Sequence, residues 1–344
     1  MKIAVDAMGG DYAPAEIIKG IEQARDAYSD IEFLVFGQED KVKPLIQTDT
    51  RITLIPASEV ITMADEPVRA IRRKKQSSIV LAATAVKEGQ ADAFFSAGNS
   101  GAVLAAGLLI VGRIKGIDRP GLTTTLPVLR KPDQSNFVML DVGANADTKP
   151  FNVVQYAVMG QYYAQSVMHV DHPRVGLLNN GTEADKGDKA HQAIYQALSG
   201  IEDLNFIGNV ESRDLLNGAA DVVVTDGFTG NATLKAIEGT ALSMLKLIKG
   251  EIMSGGIGGK IGASMLKPVF KNVQQAMDYS QYGGAVLLGL KAPVVKTHGS
   301  SKAATVKNTI GQIHELIQTH SAEQLVSYFD QHTDEMAALK ESLK

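Results

Sequence analysis

The sequence contains no cysteine. That excludes disulfides, thiolate zinc ligands and a cysteine nucleophile, and it fits a reducing compartment. It also lacks an apolar run of the ~20 residues that span a bilayer. Its most apolar stretch, Gly101–Gly112 (GAVLAAGLLIVG), fits a buried helix instead. The opening MKIAVDAMGG enters a strand directly, without a signal-peptide core. Low-complexity tracts and fixed-period repeats are missing. So is an excess of positive charge: the net charge is −4, which argues against nucleic-acid binding by bulk electrostatics. The seven histidines show no metal-ligand spacing, so no metal and no cofactor are expected. Gly255–Gly262 (GGIGGKIG) fails as a P-loop, because Ser254 replaces the first glycine and Ile261 follows Lys260. It fails as a dinucleotide fingerprint as well, which disfavours a nicotinamide dehydrogenase. Ser100 sits in GNSGA rather than GxSxG, and His314-Glu315 is followed by Gln318 where a zincin needs histidine.

What is present is a repeated strand–loop–helix pattern. With 344 residues, 44% hydrophobic and 21% charged, the chain reads as one large α/β unit over residues 1–344, with a helical segment protruding at about 246–275. Strands are expected at Ile3–Val5, Ile31–Phe36, Ile52–Ile55, Ala91–Phe95, Leu122–Leu129, Phe137–Leu140, Val175–Leu178, Asn205–Ile207, Val222–Thr225 and Ala285–Val295. Six of these runs end in loops of Gly, Asn, Asp and Ser: AMGGD, SAGNSG, DVGAN, NNGTE, TDGFTGN and THGSS. In open α/β sheets, ligands bind beyond the carboxyl ends of the strands.

The central stretch is Asp221–Glu238, DVVVTDGFTGNATLKAIE. A β-branched run breaks at Asp226-Gly227, and Gly230-Asn231 opens an amphipathic helix. Free N–H groups at such a turn suit an anion. The loops otherwise offer amides, hydroxyls and a few cations. Candidate binding residues are Asp6, Gly9, Gly10, Asn99, Ser100, Gly101, Asp141, Asn145, Asn180, Asp226, Gly227, Gly230 and Lys235. Lys186, Asn231 and His298 are the candidates closest to chemistry. The set suits phosphate. The plainer alternatives are a surface lysine beside Glu183, Asp185 and Asp188 for Lys186, a turn cap for His298, and loop-fixing for Asp6 and Asp141.

At these loops the chain resembles the bacterial phosphate acyltransferases of phospholipid synthesis, the PlsX family. The matching stretches are IAVDAMGGDYAP, RRKK, FFSAGNSGA, LDVGAN, NNGTEADKG, DVVVTDGFTGNATLK and YGGAVLLGL leading to HGSS, spread from residue 3 to residue 301. The resemblance implies a three-layer α/β/α sandwich, Rossmann-like and related to phosphotransacetylases and isocitrate-type dehydrogenases. It implies attack of inorganic phosphate on the thioester of a fatty acyl-acyl carrier protein, giving acyl phosphate and free carrier protein. It further implies a homodimer, and a cytoplasmic protein loosely associated with the membrane, where a membrane-bound glycerol-3-phosphate acyltransferase would take the product. In that reaction Lys186 lies nearest phosphate or the oxyanion. Asn99, Asn145, Asn180 and Asn231 donate amide hydrogen bonds, the Gly227–Asn231 turn holds phosphate, and His298 serves the phosphate proton or the thiolate.

Two surfaces complete this expectation. Carrier protein is acidic, and Arg72, Arg73, Lys74 and Lys75 form the densest basic run. Met253, Ile257, Ile261 and Met265 recur at every fourth residue among lysines, a pattern that suits contact with anionic lipid, with packing at a dimer interface as the alternative. The competing functions are a phosphotransacetylase-like enzyme acting on acyl-coenzyme A and a non-catalytic scaffold joining carrier protein to membrane.

Overall fold

The computed structural model describes residues 1–129, 136–254, 256–276 and 279–344. Runs of β-branched and aromatic residues form the strands: β1 (Lys2–Asp6), β2 (Glu32–Gly37), β3 (Ile52–Pro56), β4 (Ala93–Ser96), β5 (Gly121–Pro127), β6 (Asn136–Leu140), β7 (Val175–Asn179), β8 (Phe206–Glu211), β9 (Val222–Val224), β10 (Ala285–Leu288) and β11 (Val294–Lys296). The helices between them are α1 (Ala15–Ala27), α2 (Glu39–Val42), α3 (Pro67–Arg73), α4 (Ser78–Lys87), α5 (Ser100–Ala106), α6 (Pro150–Met168), α7 (Lys189–Ser199), α8 (Gly227–Ser254) and α9 (Gly256–Ala276). After β11 come α10 (Ala303–Gln318), α11 (Ser321–Gln331) and α12 (Thr333–Ser342).

All the strands join one sheet in the order β3-β2-β1-β4-β11-β10-β5-β6-β9-β7-β8. It is parallel except where β10 pairs antiparallel with β11 and β5, and β5 pairs antiparallel with β6. Three reversals lie between β4 and β6, so β6, β9, β7 and β8 run opposite to β1, β2, β3, β4 and β11. The six Gly/Asn loops therefore do not share one edge, as their common chemistry suggests. They divide into the ends of β1, β4 and β11 and the ends of β6, β7 and β9. Register brings the two groups back toward one another. Val295 pairs with Val286, Val286 with Thr123, Thr123 with Leu140, and Leu140 with Val224. The ends of β11, β6 and β9 thus start from one row, separated only by β10 and β5.

Alternate side chains serve opposite faces. Ile3, Val5, Phe95, Val138, Leu140, Val175, Val222 and Val295 pack with α1, α6, α7 and α10 on one face. On the other, Ala4, Phe94 and Val294 pack with α4 and α5, whereas Phe137, Met139 and Val223 form a separate cluster against which Leu234 and Ile237 of α8 rest. Helices on both faces make three layers.

Sequence and structure differ at several boundaries. Ala285–Val295 is not one strand: Gly289, at φ +91°, lets it fold back into β10 and β11. Gly101–Gly112 is helical, but α5 passes into a wider π-helical turn over Gly107–Val111. The closing helix is broken near His332 into α11 and α12. Residues Lys246–Lys271 extend α8 and form most of α9, which folds back along α8. Among the described residues no helix is long and apolar enough to cross a membrane.

Candidate active site

The loops after β1, β4 and β11 are held by their own polar groups. Asp6 is buried at the end of β1. It accepts hydrogen bonds from Ser96 Oγ at 2.7 Å and the Met8 amide at 3.0 Å. Burial pushes its carboxyl above the ordinary value, and bonds from Ser78, Ser96, Met8 and Gly9 act against that. A Cβ at Gly9 would stand 2.6 Å from the Gly98 amide nitrogen, so glycine allows the β1 and β4 loops to touch. Next to it, Gly10 lies against the Gly299 carbonyl, which accepts from the Asp11 amide at 2.8 Å.

Asn99 caps α5 by accepting from the Ala102 amide at 3.1 Å. Its own amide group donates to the carbonyls of Thr62 and Asp65, both at 3.1 Å. Asn99, expected to donate amide hydrogen bonds to substrate, thus has its amide group engaged in pinning the loop before α3. Gly101 packs α5 against Pro67. Ser100 is exposed, without a hydrogen-bond partner among the described residues. His298 is exposed. Its Nδ1 accepts from the Ser300 amide at 3.2 Å and lies 2.7 Å from Ser300 Oγ, so the neutral ring carries its proton on Nε2.

The β6 and β9 loops interlock. Asp141 is buried, with Oδ1 accepting from the amides of Leu122, Gly143 and Ala144 and Oδ2 from the amide and side chain of Asn145. Burial nevertheless holds its carboxyl above the ordinary value. Asn145 donates to the Pro120 carbonyl at 2.7 Å and to Tyr156 Oη and Asp141 Oδ2 at 2.9 Å. Its amide group, like that of Asn99, is engaged within the protein. At Gly230 a Cβ would collide with the Asp141 carbonyl, so only glycine brings α8 this close to β6.

The start of α8 is occupied as well. Asp226 Oδ1 accepts from the amides of Phe228 at 3.0 Å and Thr229 at 2.8 Å. The Gly230 amide donates to the Asp226 carbonyl, and the Gly227 amide reaches Thr148 Oγ1 at 3.4 Å. The turn expected to hold phosphate through free N–H groups is thus capped by its own aspartate.

Three candidate side chains at this end have no partner among the described residues, and a fourth, Lys186, has only an exposed carboxylate at 4.0 Å. Asn231 rests against Gly143 with no hydrogen bond among the described residues. Lys235 follows one helical turn later, exposed and without an ion pair among the described residues. Asn180 is exposed, and among the described residues only its backbone amide is bonded, to Asn179 Oδ1 at 2.8 Å. The exposed Lys186 side chain crosses Gly181, with its Nζ 4.0 Å from Glu183 Oε2.

Sequence reasoning missed Lys296, the last residue of β11. It is half-buried, and its ammonium has no hydrogen bond or ion pair among the described residues. Burial, and then the positive charge of Lys235, lower its pKa. The available signal was a lysine directly at the end of a Val-Val strand, before HGSS.

The two surface patches fare differently. Arg72, Arg73 and Lys75 are exposed around the end of α3. Lys74 is not part of a free basic patch, because it binds Asp65 Oδ2 at 2.7 Å and the Val60 carbonyl at 2.8 Å. On α9, Met265 is 77% exposed, whereas the side chains of Met253, Ile257 and Ile261 lie outside the described residues.

These loop ends thus hold amide and ammonium groups without close partners among the described residues. The sequence model of a family described as "Fatty acid synthesis protein" matches residues 1–324. A phosphate acyltransferase of Levilactobacillus brevis is 82% identical over 344 residues, covering 100% of both chains. One from Lactiplantibacillus plantarum is 65% identical, covering 96% of this chain and 94% of its own. Among solved structures, a phosphotransacetylase from Streptococcus pyogenes matches with a TM-score of 0.60 at 17% identity, covering 94% of each chain. A phosphotransacetylase from Staphylococcus aureus gives 0.56 at 17% identity, covering 93% of this chain and 94% of its own. At such identities the structures show a shared fold alone, but the sequence matches run over nearly the whole chain, and the protein belongs to the phosphate acyltransferase family.

Proposed function

We propose that the protein transfers the acyl group of a fatty acyl-acyl carrier protein to inorganic phosphate. A phosphate oxygen attacks the thioester carbonyl carbon, the carbonyl oxygen takes the negative charge, and the tetrahedral intermediate expels the carrier thiolate. The C–O bond forms, the C–S bond breaks, and the proton of hydrogen phosphate ends on the carrier thiol. Hydrogen phosphate is already an anionic nucleophile and a thiolate is a fair leaving group. The protein need only position the reactants and stabilise the oxyanion.

The observation that carries this reading is the contrast among the loop amides. Asn99 and Asn145 are bound, while at the β7 and β9 ends the side chains of Asn180, Asn231 and Lys235 have no partner among the described residues and Lys186 has only the exposed Glu183 at 4.0 Å. In our assignment Lys186 and Asn231 serve phosphate and the oxyanion, with Asn180 and Lys235 as further donors. His298 is the candidate to take the hydrogen phosphate proton as a transient imidazolium and pass it to the departing thiolate. Arg72, Arg73 and Lys75 give acidic carrier protein a docking face, which favours it over coenzyme A. The lysine-flanked apolar surface of α9 suits an anionic membrane, where a glycerol-3-phosphate acyltransferase would consume the labile product. The functional unit is a homodimer.

The test is acyl phosphate formation from palmitoyl-carrier protein and inorganic phosphate, beside palmitoyl-coenzyme A and without added metal. Phosphate-dependent release of free carrier protein is expected, with coenzyme A the poorer carrier. Release from coenzyme A alone would establish the phosphotransacetylase-like alternative. Carrier binding without turnover would leave a scaffold.

A further inference from the structure

Lys296 holds a charge that the fold does not balance. It is half-buried, and no hydrogen bond or ion pair reaches its ammonium among the described residues. An ammonium taken partly out of water without a partner destabilises a fold, and such groups point to a ligand. Strand alternation fixes its direction. Val295 packs on the α6 and α10 face, whereas Val294 packs with α4 and α5. Lys296 therefore shares the face of Val294, the face that carries α8.

The sheet then brings a second cation to it. Lys296 pairs with Ala285, one residue beyond the row that joins Val295 to the ends of β6 and β9. Leu234 and Ile237 of α8 rest on the cluster of Met139 and Val223 on this same face, which carries Lys235, between them, over this part of the sheet. The Lys235 charge adds to burial in depressing the Lys296 ammonium. Asn231 sits one turn before Lys235 on the same side of α8, against Gly143. Three donors thus stand in file: an amide and an ammonium from α8, and an ammonium from β11. Neither lysine has a carboxylate partner among the described residues. Two neighbouring cations repel until an anion lies between them, and a dianion neutralises both.

We propose that Lys296 and Lys235 clasp the phosphoryl group between the two halves of the sheet, with Asn231 as the third donor. The group is inorganic phosphate on entry and the phosphoryl end of acyl phosphate on exit. This rests on the phosphate reading above and adds Lys296 to it as a binding residue. It also gives the antiparallel β10 and β5 a purpose: they set β11 and α8 on opposite sides of one anion.

The variants are Lys296→Gln, Lys235→Gln and Lys296→Arg. Lys296→Gln should raise the KM for phosphate about tenfold, as expected for one lost charge-assisted contact, and leave the KM for acyl-carrier protein unchanged. Lys296→Arg should recover most of it. Inorganic phosphate should raise the thermal midpoint of the wild type relative to chloride at equal ionic strength, and do so less in Lys296→Gln. In the wild type, phosphate should slow acetylation of Lys296 by acetic anhydride, read by mass spectrometry; this holds even if a variant does not fold. Unprotected Lys296, or an unchanged KM for phosphate, overturns the proposal. Protection and the midpoint shift without turnover would keep the anion site and remove the acyl-transfer reading.

Discussion

Asn145 and Asn231 belong to interlocked loops and carry the same amide, yet they meet opposite demands. Asn145 binds a carbonyl, a carboxylate and a phenol, and the Asp141 it helps to hold is fully buried. Asn231 presses on Gly143 and binds nothing among the described residues. Removing a bonded buried amide strands its partners and costs about 1–3 kcal/mol, whereas removing an unengaged one costs the fold little. Asn145→Ala should therefore lower the thermal midpoint by several degrees, with activity falling only as folded protein is lost. Asn231→Ala should keep the midpoint and lower kcat/KM about tenfold to a hundredfold, the loss of one transition-state hydrogen bond. Lys186→Ala should resemble Asn231→Ala, since its only charged neighbour among the described residues is the exposed Glu183 at 4.0 Å. Equal turnover in Asn231→Ala and wild type would remove Asn231 from the site.

At the scale of an element, α3 separates lysines that composition treats alike. Pro67 opens the helix, and Glu66 caps it by accepting from the amides of Val68 and Arg69. Its last turn then exposes Arg72 and Arg73. Lys74 leaves the helix and turns back to Asp65, and this lysine's hydrogen bond is the chief reason the Asp65 carboxyl falls to about 2. That pair ties the end of α3 to the loop that Asn99 holds from the other side. Replacing Arg72, Arg73 and Lys75 with glutamine should raise the KM for carrier protein several-fold and flatten its salt dependence, while kcat at saturation stays. Lys74→Gln should leave that salt dependence intact. A KM for carrier protein unmoved in the triple variant would put docking elsewhere.

For the whole molecule, periodicity and turn residues were enough to find most strands, because a β-branched run stopped by Gly or Asn has few other uses. Family membership was legible because its motifs run from IAVDAMGG to HGSS. Strand direction was not. Nothing in the composition of β6 says that it opposes β4, and the turn at Gly289 hid the hairpin that reverses the sheet inside one apolar run. Nor does an asparagine show in sequence whether a carbonyl will claim it, which is why Asn99 and Asn231 looked equivalent. The glycine-rich stretch expected to interrupt a helix is taken up by the end of α8 and by α9, whose exposed surface carries the last expectation. Leu242 and Leu247 of α8 and Met265, Leu266, Val269 and Val273 of α9 are exposed, with Lys267 and Lys271 beside them. An apolar stripe flanked by lysines gains both burial and charge attraction at an anionic surface, whereas a dimer interface gains chiefly from burial. Met265→Asp with Val269→Asp should therefore abolish sedimentation with phosphatidylglycerol vesicles and spare both turnover on carrier protein in solution and the dimer mass by light scattering. If the dimer dissociates instead and vesicle binding was already weak in the wild type, the stripe is an interface between two copies of the chain.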